Sequence, residues 1–240
     1  LGFPGSAHLR KILEFLTTPD EARLVAALPG SPQEVADKTG VDLNRVTDTL
    51  DTLFYRGIIF PRGDFRRRVY FRFARSVVQL HDSTVGTREV DPERDTELCE
   101  IWQDFTWAEM CPYMVEGMEK RDRPGSRIVP AYASIKDLSG VLPYENFPEM
   151  LRAQELIATV PCPCRYCAAG TGEHCDTHAE VTDWACYQFG RGADYAIARG
   201  SGKELTIEEA LKLGEALEKS GLLHTWENSS AMADLRWSCQ

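Results

Sequence analysis

Apolar residues between Thr18 and Gly57 recur at three- and four-residue steps in three short blocks, each with its own start and stop signals. Thr18-Pro19-Asp20-Glu21 reads as a capping box with proline at the first helical position, Leu24, Val25 and Leu28 give the inward stripe, and Pro29-Gly30 ends it. Ser31-Pro32-Gln33-Glu34 repeats the start signal for a second helix with Val35 and Ala36 inside and Gly40 placed for a left-handed cap. Asp42 caps a third, in which Leu43, Val46, Leu50, Leu53 and Phe54 recur at helical spacing before Gly57. The period then changes. Ile58 to Phe60 is a short apolar run, Pro61-Arg62-Gly63-Asp64 is turn chemistry, and Val69, Phe71 and Phe73 alternate with Arg68, Tyr70 and Arg72. Helix, tight turn, helix and a hairpin with one apolar and one basic face predict a winged helix-turn-helix over residues 9–75.

Beyond residue 80 the pattern loosens. His81 to Asp91 is polar and reads as a linker. From Pro92 onward, Leu98, Ile101, Trp102 and Phe105 mark an amphipathic helix, which Pro112 should kink or end. Arg121 to Gly125 breaks the chain again, Ile128-Val129-Pro130 suggests a short extended piece, and Phe147 to Val160 reads as one helix leading into a cysteine run. Thr206-Ile207-Glu208-Glu209 boxes a last helix, with Ile207, Ala210, Leu211 and Leu217 inward and Gly221 closing it. The expected fold class is mainly α with a small β-hairpin. It divides into a winged helix-turn-helix domain at 1–80, a linker and amphipathic helical segment at 81–125, and a helical, loop-rich metal-binding domain at 126–240.

With 43% hydrophobic and 27% charged residues, the composition is that of a soluble globular protein with a buried core. No apolar stretch reaches the roughly eighteen residues of a membrane span, and no basic-then-apolar start suggests secretion, so no membrane insertion and a cytoplasmic location are expected. The net charge of -10 is uneven: residues 1–80 carry twelve Lys or Arg against nine acids, the remainder fifteen against twenty-eight. Two functional halves are expected from that split. The chain begins at Leu1 and ends at Ser238-Cys239-Gln240, which suggests a segment of something longer whose tails could hold further ligands.

Five of the eight cysteines fall between Cys162 and Cys186, spaced C-x-C-x2-C-x7-C-x10-C, and Cys239 stands apart. Such bunching suits metal binding in a reducing compartment better than disulfide stapling. Zinc could take Cys164, Cys167, Cys175 and His174 or His178, although the paired knuckles of common structural zinc sites are missing. A [4Fe-4S] cluster needs four thiolates from a wrapping loop, and Pro161, Pro163, Gly170 and Gly172 suit one. Buried free thiols and a catalytic cysteine, activated by Arg165 or a histidine, are the other readings; the last uses one cysteine and leaves four idle. Arg165 offsets thiolate and cluster charge, docks an acidic partner, or is an ordinary surface arginine. Trp184 and Tyr187 flank Cys186 and either wall the site from water or fill the core.

The stretch RIVPAYASIKDLSGVLPYENFPEMLRAQELIATVPCPCR, continued by HCDTHAEVTDWACYQF and ELTIEEALKLGEALEKSGLLHTWENSS, resembles the four-iron-four-sulfur binding proteins of anaerobic bacteria and archaea that carry an N-terminal helix-turn-helix. Cys162, Cys164 and Arg165 match a C-x-C-R motif, Cys175 follows, and Cys186 with Phe189 matches C-x-x-F. Thr206 to Ala210, and Gly221 to His224 with Asn228, match two later segments. The resemblance implies a cluster on Cys162, Cys164, Cys175 and Cys186, with Cys167 an extra thiol able to replace one of them and Cys239 standing where that family has a cysteine-rich tail.

The resulting expectation is an iron-sulfur electron-transfer protein or subunit serving a redox partner or a larger oxidoreductase complex, with the winged helix used for docking. One alternative is a metal- or redox-sensing regulator that binds DNA; a structural zinc scaffold is another. Six arginines between Arg62 and Arg75 suit phosphate contacts, whereas Asp48 and Asp51 on the third helix oppose them. No glycine-rich phosphate loop, nucleophile elbow or G-x-G-x-x-G is present, so a flavin or nicotinamide site is not expected.

Overall fold

The computed structural model describes residues 1–120, 126–139, 145–173, 184–227 and 236–239. Among these residues the chain is mainly helical with two antiparallel sheets. Helix α1 (Ala7–Leu16) starts at Ser6, whose hydroxyl accepts from the Leu9 N–H at 2.9 Å. Helices α2 (Pro19–Ala26) and α3 (Pro32–Thr39) begin where the boxes predict. In α2, Glu21 accepts from the Thr18 N–H at 2.8 Å and Thr18 accepts from the Glu21 N–H at 3.3 Å. Ser31 and Glu34 do the same in α3, each such cap contributing about 1 kcal/mol. Gly40 ends α3 at φ 70°, the left-handed conformation that glycine takes without a Cβ penalty. Asp42 then caps α4 (Leu43–Tyr55), which buries Val46, Leu50, Leu53 and Phe54; Leu43 of the expected stripe stays exposed.

Strands β1 (Ile59–Pro61) and β2 (Phe71–Phe73) form the expected hairpin, Ile59 facing Phe73. Residue Arg68 in its loop has φ 47°, unusual for a side chain with a Cβ. Asp51 at 2.9 Å and the rings of Phe54 and Tyr55, 5.2 and 5.3 Å from the guanidinium, hold it against α4.

Residues 81–85 of the expected linker are instead the second half of a buried helix, α5 (Val77–Val85), while 86–91 stay outside any helix or strand. Its polar side chains hid it, because they are satisfied inside the fold rather than by water. Gln79 accepts from the Arg75 N–H at 2.9 Å, and Ser83 donates to the Gly57 carbonyl at 2.6 Å. Helix α6 (Thr96–Phe105) is the amphipathic helix expected, with Leu98, Ile101, Trp102 and Phe105 buried. Pro112 does not end it. The chain widens into a π-helical turn at Thr106–Met110 and resumes as α7 (Cys111–Glu119), a local change of register that accommodates a residue lacking the N–H.

The second half is not the loop-rich helical domain predicted. After β3 (Ser126–Val129), α8 (Tyr132–Ile135) and α9 (Phe147–Arg152), the chain runs through β4 (Ile157–Val160), α10 (Pro163–Gly170), β5 (Cys186–Phe189), α11 (Arg191–Ala198), β6 (Lys203–Leu205), α12 (Ile207–Lys219), β7 (His224–Glu227) and β8 (Arg236–Cys239). The strands form one antiparallel sheet in the order β3-β7-β8-β5-β4-β6. The single helix predicted from Phe147 to Val160 is therefore a helix and a strand. All four residues of β4 are buried, so it shows no alternation and its apolar run cannot be told from helix by period.

Two cores result. One gathers α1 to α6 and the hairpin and draws in Cys167 and Tyr195; the other packs Phe147, Leu151 and Leu217 onto Tyr187 and Phe189 of the sheet. Helix α11 joins them. Tyr195 stacks on Phe60 at 4.6 Å between ring centroids and donates to the Ile59 carbonyl at 3.3 Å, while Arg199 donates to the Ser83 carbonyl at 2.8 Å.

Candidate functional site

The sheet register decides which cysteines meet. Val160, the last residue of β4, faces Cys186, the first of β5, and Cys162 follows Val160 by two residues. On the other side of β5, Tyr187 faces Ser238, so one step along the ladder sets the backbone of Cys239 level with Cys186; Cys239 also pairs with Thr225 of β7. Cys162, Cys186 and Cys239 thus come from separate elements to one end of the sheet. Cys175, His174 and His178 lie outside the described residues.

Cys162 is the N-cap of α10 and Pro163 its first residue, so the helix starts where proline's fixed φ fits and its missing N–H costs nothing. Burial pushes the Cys162 thiol up, while the backbone N–H, charge and side chain of Arg165 pull it down. Cys164, in the first turn, is exposed. Cys186 is half-buried and accepts from the Gln188 side-chain amide at 3.3 Å. Among the described residues no three Cys, His, Asp or Glu side chains are grouped closely enough to hold a metal ion.

Cys167 turns away from this end into the packing of α10 on α5 and α6. Its sulfur lies 3.5 Å from Nε2 of His81, whose Nδ1 lies 2.9 Å from the Asp82 carboxylate. Cys99, from α6, is its other partner and donates to the Tyr166 carbonyl at 3.5 Å. Interaction with Cys99, then burial, raises the Cys167 thiol far above its ordinary range, while the contact with Cys167 lowers Cys99. Trp102 packs edge-on to His81 at 5.0 Å, and its buried Nε1 has no hydrogen-bond partner among the described residues. Sequence reasoning missed Cys99, His81 and Asp82 because two of them sit in the supposed linker and Cys99 is isolated from the cysteine run.

The two aromatics beside Cys186 divide. Tyr187 points to the opposite face of the sheet, where it donates to the Ala210 carbonyl at 2.7 Å, so it is core filler there. Trp184 is half-buried, with Lys203 at 4.0 Å and Arg88 at 5.1 Å from its ring centroid. No helix among the described residues is long and apolar enough to cross a membrane. Compared with protein-family models, curated proteins and solved structures, the chain matches none.

Proposed function

We propose that the chain is an iron-sulfur electron-transfer protein or subunit of an oxidoreductase complex, and that its N-terminal helices and hairpin serve as a winged-helix docking domain. The observation that carries this reading is the strand register, which sets the backbones of Cys186 and Cys239 level and leaves Cys162 two residues past the partner of Cys186. Thiols from separate elements suit a cluster, which needs convergent sulfurs rather than a regular local spacing. Cys162, Cys164, Cys175 and Cys186 are the proposed ligands, with Cys239 able to join them from β8. A bound [4Fe-4S] cluster would supply one-electron chemistry. The protein's own part is to supply a fixed positive charge at Cys162 through Arg165, donate a hydrogen bond to Cys186 from Gln188, and shield that end of the sheet with the Trp184 ring.

Anaerobic purification followed by iron and acid-labile sulfide analysis tests the proposal. Iron and sulfide in near-equal amounts with broad visible absorption that bleaches on reduction support it; a preparation holding zinc alone, without that absorption, overturns it.

A further inference from the structure

We propose that the cavity between α5, α11 and the β4–β5 face of the sheet binds a small monocarboxylate, held by Arg199. Cys186, proposed above as a cluster ligand, and its donor Gln188 line the same cavity, but the carboxylate site rests on Arg199 and needs no cluster. The cavity has about 60 Å³ of free space, room for roughly four waters, so its ligand has only a few non-hydrogen atoms. Phe60, Val78, Val160 and Tyr195 supply apolar walls.

Arg199 lines the same cavity and is only 8% exposed. Its Nε and Nη2 donate to the Tyr55 carbonyl at 3.3 and 3.1 Å, and Nη2 also donates to the Ser83 carbonyl at 2.8 Å. No hydrogen bond among the described residues uses Nη1. No carboxylate among them pairs with this guanidinium either: Asp82, the acidic group of the cavity wall, is engaged by His81 at 2.9 Å. Tyr195, whose ring the guanidinium overlies at 5.0 Å, is neutral, because burial pushes its hydroxyl up to about 12 against the pull of Arg199. The acceptors of this guanidinium are neutral carbonyls, and an anion placed on its unused Nη1 N–H groups would give it a charged partner. Carboxylate is favoured over phosphate or chloride because its oxygens take charge-assisted hydrogen bonds from Nη1 while a short alkyl tail fills the apolar wall.

Calorimetric titration of the purified protein with acetate, propionate and hexanoate, with chloride and inorganic phosphate at matched ionic strength, tests the site. Saturable one-to-one binding of acetate or propionate in the millimolar range is expected, the strength available to about four or five non-hydrogen atoms, with hexanoate excluded by size. Arg199→Lys should weaken binding about tenfold. Val78→Trp, from a half-buried wall position, should abolish binding while leaving the melting temperature near wild type, and it decides the matter if Arg199 variants fail to fold. No saturable carboxylate binding, equal binding in Val78→Trp, or binding of chloride or phosphate as tight as propionate would each overturn the proposal, the last by revealing an adventitious ion only.

Discussion

The Cys167 sulfur sits 3.5 Å from Nε2 of His81, and this contact separates it from the other thiols of α10. The Asp82 carboxylate, 2.9 Å from Nδ1, holds the imidazole in place against this sulfur. Metal ligation needs the thiolate, which burial and Cys99 both disfavour here. Replacing Cys167 with Ser should therefore leave iron and sulfide per chain unchanged, with at most a modest loss of stability. Cys162→Ser or Cys164→Ser should lose the cluster. Metal analysis of the three variants checks this; iron lost in Cys167→Ser and kept in Cys164→Ser would reverse the ligand assignment.

Glu109, in the π-helical turn, ties that turn to α1 by accepting from the Ser6 hydroxyl at 2.8 Å and lying 2.7 Å from Nδ1 of His8. Those bonds, Ser6 first, hold its carboxyl below the usual range. A depressed carboxylate contributes stability above its unfolded pKa, about 4.3, and loses it as pH falls through the folded value. Because Glu109 is partly solvated, the effect is small: Glu109→Gln should lower the melting temperature by about 1–3 °C at pH 7. The gap should close below pH ~4. Melting curves from neutral to acid pH measure it, and a gap unchanged with pH would remove the ion from the account.

What was legible in the sequence was what local chemistry fixes. Thr18, Ser31 and Thr206 announce their helices because each cap is satisfied within four residues, as is the Gly40 turn. The helix at His81 was illegible, since Ser83 finds its partner at Gly57, twenty-six residues back, and Gln79 binds the hairpin's end through Arg72 and Arg75 rather than water. The sheet was illegible for a related reason: Cys239 becomes level with Cys186 only through pairing across fifty-three residues, which no spacing rule encodes. Within the thiol run, sorting Cys167 from Cys162 required knowing which face of α10 meets α6.

The arginine hairpin bears on the DNA-binding alternative. Arg66 pairs with Asp194 of α11 at 2.6 Å, Arg68 with Asp51 at 2.9 Å and Arg67 with Asp64 at 3.6 Å, so half of the six positive charges face internal carboxylates. On α4 the exposed residues include Asp48 and Thr47, and Arg45 pairs with Asp20 at 2.9 Å. Binding to DNA should therefore be weak, indifferent to sequence, and lost between low and physiological salt. Arg66→Ala should leave stability nearly unchanged, since the arginine is exposed and such pairs contribute little. Gel-shift titrations at the two salt concentrations, with and without metal, measure this; a sequence-specific shift surviving physiological salt would favour the regulator instead.

Gly170 sets how closely α10 approaches α6. A Cβ placed there would meet Cβ and Sγ of Cys99 at 2.5 and 2.6 Å and the Pro92 carbonyl at 3.2 Å. The first two atoms belong to a short, fully buried side chain that cannot swing aside, so the helices must separate. Gly170→Ala gains helix propensity but overpacks the contact, and the overpacking should win by about 1–3 kcal/mol. Separation would also expose the thiols that the contact seals. The expected result is a lower melting temperature together with faster labelling of Cys99 and Cys167 by a thiol reagent, located by peptide mass mapping. Labelling unchanged from wild type would mean that α10 rides on α6 through other contacts and that the Cys99–Cys167–His81 cluster does not depend on this approach.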